Sequence, residues 1–365
     1  MEQRLPSGNA LLIAAAVVVV LALAAAVVIG AMGILLSSAP RADGSGQQAG
    51  GLPQAFEYDL GEYKRVDPAL IWYRQTAEIP LALKQARAVA AGPKDRIYVA
   101  GDKTIQVFEP AGSKAAEIAL DDEPRALTVA GEQHAFPGRL YVAMKSRVEV
   151  FDPAGKPAAT WDELGPKAIL TSIAAADEDV LVADAGNRIV YRFDASGKLL
   201  GRIGAKDPAR NIRGFVIPSP YFDVAISSDG LVRVANPGTH RIEGYTLDGH
   251  LEVSWGKQGV AIEGFCGCCN PAHFAILPDG RFVTAEKGIP RVKIYAYDGA
   301  FICVVAGPEI LAPGQTIVEE TRPDVRLPVI DVAADSQGRI LVLDPAAAKL
   351  RVFELKAEKR LAVKN

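Results

Sequence analysis

Three of the four cysteines, Cys266, Cys268 and Cys269, stand together in GFCGCCNP, the stretch from Gly264 to Pro271. Thiols this close could ligate a soft metal or an iron-sulfur cluster, act as a redox pair, or close a structural bridge. Their spacing matches neither the C-x-x-C pair of a zinc site nor a ferredoxin run, and an oxidising compartment favours the bridge. Cys303, in FICVVAG, reads as a small buried hydrophobe of an outer strand, with Cys266 the cysteine most able to reach it. Of the histidines His134, His240, His250 and His273, only His273, two residues past Pro271, is placed to join the cysteines; otherwise it is an ordinary strand residue. A second group is Asp184, Asn236, Glu286 with Lys287 beside it, and Asp344, each at the end of a β-rich run. Four such oxygen side chains around one axis could hold calcium, whereas singly each would bond its own turn. No glycine-rich phosphate loop and no G-x-S-x-G elbow occurs.

The elements that must position these residues are clearest in DVLVADAGNRIVYRFDASGKLLGRIG, Asp179 to Gly204, where three short β-rich runs are separated by two turn-forming clusters. The pattern recurs at Arg96 to Gly112, Arg139 to Gly155, Leu231 to Gly249, Arg281 to Gly299 and Arg339 to Ala357. With Ala100, Ala143, Ala183, Ala235, Ala285 and Leu343 as equivalent marks, the intervals are 43, 40, 52, 50 and 58 residues. Repeats of this length made of short strands predict an all-β, six-bladed β-propeller, because one small sheet cannot bury both faces without neighbours. The last repeat lacks an outer strand, and Leu70 to Leu83 alternates like one. The simplest closure of the ring lets that N-terminal strand complete the sixth blade.

The strand ending in Val-Ala-Asp, the Asn-Arg-Ile strand start and the Asp-x-x-Gly turn of the central repeat resemble the NHL repeat, within the TolB-like propellers. The other repeats depart from it, with Gly101, Met144 and Glu286 where the family usually has Asp. The resemblance implies a binding or scaffold propeller in which that Asp holds its own turn. Related six-bladed lactonase-like enzymes use carboxylate and amide ligands for calcium. NHL-related amidating lyases arrange several channel histidines around zinc, a pattern this chain lacks. A metal, iron-sulfur or redox protein working through Cys266, Cys268 and Cys269, and a channel-metal lactonase- or lyase-like enzyme, are the alternatives to the binding module.

The chain has 365 residues, 49% of them hydrophobic, and a formal net charge of −3. Ala10 to Leu36 is uncharged and longer than the roughly 20 residues that span a bilayer, so it reads as a transmembrane helix or signal anchor. Residues 1–9 form a short tail, 37–69 a linker that opens on small and polar residues, and 70–365 the propeller. A short leading tail favours an inside N-terminus, which places the propeller on the extracytoplasmic, periplasmic side. The weakly acidic charge, without a basic aromatic stripe, argues against nucleic acid and leaves a protein partner in the cell envelope. Long joints at Ala205 to Pro220, Lys257 to Pro271 and Gly307 to Pro328 all precede inner strands, and so elaborate one face of the propeller.

Overall fold

The computed structural model describes residues 65–210, 212–313 and 329–360. The apolar segment 10–36, nearly all of the linker and most of the third long joint lie outside them. Among the described residues no helix is long and apolar enough to cross a membrane. The described chain forms six four-stranded antiparallel sheets, the six blades expected from the repeats. Inner strands begin blades 1 to 6 at Ala86–Ala91, Ala126–Val129, Leu170–Ala176, Val224–Ile226, His273–Ile276 and Asp331–Ala334.

Ring closure follows the expected scheme. Tyr73–Pro80 lies antiparallel to Lys349–Leu355 as the outermost strand of blade 6, with Tyr73 opposite Leu355 and Pro80 opposite Lys349. Tyr73 and Ile79 are buried in the closed blade, and Glu78 pairs with Lys349 at 2.6 Å and Arg351 at 3.1 Å. Residues ahead of Leu70 also pack onto the propeller. Val66 is buried and its N–H donates to Glu309 at 3.0 Å, and Asp67 caps the 3-10 turn Pro68–Leu70. Cys303 lies in the outer strand of blade 5, opposite Ile294, and packs between blades 5 and 6 with Tyr73, Val283 and Val332.

Local chemistry explains the repeat. Second strands such as Ile97–Gly101 and Phe282–Glu286 are buried throughout and read as short apolar runs, while the outer strands Lys114–Ala119 and Pro157–Thr160 are largely exposed. The Asp-x-x-Gly turn is formed at Asp194, whose carboxylate accepts the N–H groups of Ser196 and Lys198 at 2.9 and 3.0 Å. Gly197 closes it at φ +96°, with Trp161 so near that a Cβ there would lie 2.5 Å from its ring.

Candidate functional site

The six inner strands enclose a central channel of about 370 Å³. Across the hairpin that opens each blade, the residues facing the six equivalent marks are Ala88, Ala126, Ser172, Asp223, His273 and Asp331. Below them the channel is lined mainly by Ala, Val, Leu and Ile, so the polar groups gather at one mouth. That mouth shares its face with the two described long joints and with the turns between second and third strands. Each long joint delivers an ionisable residue to it: Asp223, His273 and Asp331.

These side chains form a girdle that ties neighbouring blades. Ser172 donates to Asp223, and Asp223 accepts the Phe274 N–H at 2.7 Å. His273 Nδ1 stands 3.6 Å from both Asp223 and Asp331, and Asp331 accepts the Val89 N–H at 2.8 Å. Blades 3 to 6, and blade 6 with blade 1, are thus joined through buried polar contacts. Because Ser172 gives its proton to Asp223 and not to the imidazole, the set lacks the Ser-to-His contact of a nucleophilic triad. Arg87 and Arg125 line the other side of the mouth, Arg87 pairing with Glu123 at 2.8 Å. The mouth is therefore basic on one side and acidic on the other.

Burial alone would depress the His273 imidazole, but the Asp331 and Asp223 carboxylates outweigh it and raise the group. Burial pushes the Asp331 carboxyl up to about 6, against the attraction of His273. Both groups therefore hold a proton more tightly in the folded chain than in the unfolded one. Their stabilisation is present at the acidic end and lost as pH rises through the folded values. We expect thermal unfolding to show about 2 kcal/mol less stability at pH 8 than at pH 5 from this cluster, and Asp331→Asn to flatten that slope. A stability that rises from pH 5 to 8 and is indifferent to Asp331→Asn would contradict the assignment.

Asp184, Asn236, Glu286 and Asp344, expected to ring the channel mouth, do not line it. They end second strands, one strand spacing of about 4.8 Å out from the channel, and all are buried. Three of them latch the joint that enters their own blade. Asp184 accepts the Ile169 N–H, Asn236 that of Val216 and Glu286 that of Cys266, at 2.9, 2.9 and 3.1 Å. Asp184 also accepts from Gly186 and Asn187 in its own turn, and Asp344 is held by Arg351 at 2.9 Å. Among the described residues no group of three or more His, Cys, Asp and Glu is arranged to hold a metal ion. Lys287 is half-buried on the mouth face, its ammonium 4.9 Å from the ring of Tyr221.

The cysteine joint is fixed from below by alternate residues of one strand, Arg291–Tyr295. Lys293, fully buried, meets Glu286 at 2.6 Å and donates to the carbonyls of Ile262 and Gly264 at 2.9 and 2.7 Å. Arg291 reaches Glu286 at 2.9 Å, and the Tyr295 hydroxyl donates to the Glu263 carbonyl at 3.2 Å. Burial draws the Lys293 ammonium down to about 8 although Glu286 opposes the change. Asn270 completes the clamp, donating to the carbonyls of Cys266 and Lys287 and accepting the Lys287 N–H.

The three thiols do not converge. Cys268 and Cys269 have sulfurs 3.2 Å apart, with Cys268 exposed and Cys269 buried near Ser219. Cys266 is half-buried within the field of Arg291, Glu286 and Lys293. His273 belongs to the girdle, while His240 contacts the Gly267 carbonyl inside the joint.

No family model and no curated protein matches the chain. Solved structures do. A protein of unknown function from Bacteroides thetaiotaomicron is similar with a TM-score of 0.54 at 15% identity, over 78% of this chain and 72% of its own. Virginiamycin B lyase from Staphylococcus aureus gives 0.52 at 12% identity, over 78% of this chain and 100% of its own. A streptogramin B lyase gives 0.52 at 10%, over 78% and 99%. The likeness is one of fold. At such identities it supports the propeller and carries no activity across.

The girdle could have been found in the sequence, because YFDVAI, PAHFAI and VIDVAA each place one ionisable residue before an apolar inner strand. A larger cleft, about 1110 Å³, opens on the opposite face beside Tyr73, Arg281, Arg339 and Arg360. Two of its arginines are already engaged, Arg281 with Asp279 and Arg339 with Asp335, so size alone does not make it the better site.

Proposed function

We propose that this chain is a membrane-anchored, extracytoplasmic propeller of NHL type that docks a protein partner of the cell envelope on its mouth face. The observation that carries the reading is the convergence, on one face, of the two described long joints, one of them the cysteine loop, and the strongly polar part of the channel. Val216 and Val260, 46% and 40% exposed on two of those joints, add apolar contact area beside the charged mouth. Rigid blades below and elaborated loops above are the usual division between scaffold and recognition surface. The uncharged segment 10–36 is long enough to anchor the domain, and the small and polar residues after it would hold the propeller clear of the bilayer.

Localisation is tested by adding protease to intact spheroplasts carrying the full chain. The propeller epitope should be lost without lysis, and protection until the membrane is broken would reverse the topology. The recognition surface is tested by Arg87→Ala with Arg125→Ala. Loss of the exposed Arg87–Glu123 pair should change stability by no more than about 1 kcal/mol, while recovery of the native envelope complex should fall at least about tenfold, equivalent to about 1.4 kcal/mol. Undiminished recovery with unchanged folding would exclude the basic side of the mouth from docking.

A further inference from the structure

We propose that Cys268 and Cys269 form a redox-active vicinal pair, closing to a disulfide by exchange with a small disulfide such as oxidised glutathione. Their sulfurs already lie 3.2 Å apart, so closure asks for a movement of about 1 Å to reach the usual S–S length of about 2.05 Å. The two thiols are unequal in access. Cys268 is exposed and meets the oxidant, whereas Cys269, 1% exposed, is sheltered from it and placed to resolve the intermediate.

The surrounding joint holds the pair in place while it reacts. Asn270 grips the Cys266 and Lys287 carbonyls, Glu286 holds the Cys266 N–H, and His240 holds the Gly267 carbonyl. Cys266 is kept apart, toward the buried Glu286, Arg291 and Lys293 group, and Cys303 is buried in the outer strand of blade 5. Neither competes for the exchange.

In the first step Cys268 loses its proton to solvent and its sulfur attacks one sulfur of the oxidant. The oxidant S–S bond breaks, one thiolate leaves and takes up a proton, and a mixed disulfide remains on Cys268. Cys269 then loses its proton and attacks the Cys268 sulfur, expelling the second thiol. Two protein thiols are oxidised and one external disulfide is reduced to two thiols. Adjacent residues hold their Cα atoms about 3.8 Å apart, below the usual disulfide range, so the bridge should be easily reopened by thiols.

The test is incubation of the purified full chain with oxidised glutathione, followed by alkylation and mass analysis of the peptide that spans residues 258–281. The wild-type peptide and that of Cys266→Ser should each lose the mass of two hydrogens, carry no glutathione and recover their mass with reduced glutathione. Cys269→Ser should stop at one glutathione on Cys268, and Cys268→Ser should remain unmodified at Cys269. Loss of the bridge in Cys266→Ser, its survival in Cys268→Ser, or a lasting glutathione adduct on wild-type Cys268 would overturn the assignment. Because Cys268 is exposed, its variant reports on the chemistry even where replacement of buried Cys269 disturbs folding.

Discussion

Glu286→Gln is expected to destabilise the propeller by about 3–5 kcal/mol, one of the largest effects of any single substitution in the chain. Glu286 is the only carboxylate in direct contact with two buried cations among the described residues, Arg291 at 2.9 Å and Lys293 at 2.6 Å, with all three side chains no more than 1% exposed. Glutamine keeps the shape and removes the charge, leaving both cations with only neutral acceptors in a low-dielectric site. For a domain of this size the loss corresponds to a drop of roughly 10 °C in Tm. Lys293→Met in the same chain should restore part of it, since the buried charge is then removed as well. Thermal unfolding of the single and double variants measures both effects. A loss below about 1 kcal/mol would mean that the ion group is hydrated in solution.

Excising Tyr73–Pro80 should have a still wider effect. The deletion bares the edge of Lys349–Leu355 and strips the cover from Val352 and Phe353, both buried in the closed ring. Tyr73 and Ile79 alone each account for about 1.5–3 kcal/mol of apolar burial. An open ring with an exposed hydrophobic edge is prone to pair with other chains. The expected result is loss of the cooperative unfolding transition and recovery of the protein mainly as aggregate. A soluble monomer with the wild-type denaturant midpoint would show that the N-terminal strand only lies on the outside of blade 6.

Much of the fold was legible because the repeat is written in local chemistry. Second and third strands read as short apolar runs, and Asp194 to Gly197 forms the turn its residue types require. Closure by the N-terminal strand was legible for a different reason, since the last repeat visibly lacks an outer strand. The site was harder to read. Asp184, Asn236 and Glu286 recur in register because each latches the joint that enters its own blade, and structural recurrence resembles a ligand ring when only the period is seen. The position of Asp223, His273 and Asp331 is Ala88, Ala126 and Ser172 in the other blades, and their proximity depends on the packing of successive blades rather than on any local motif. The cysteine joint was conspicuous in the sequence, but its division into a vicinal pair and a separate Cys266 follows from contacts with a strand more than twenty residues later.

The central claim, that recognition occurs on the mouth face, is tested most directly by a photoreactive amino acid placed singly at Val216, Val260 or Tyr297 of the full chain in its native membrane. Val216 and Val260 belong to the long joints of the mouth face, while Tyr297, 76% exposed, lies in a turn on the opposite face. Irradiation should yield the same discrete partner adduct from Val216 and Val260 and none from Tyr297. An adduct of equal yield from Tyr297, or one from Tyr297 alone, would contradict the claim.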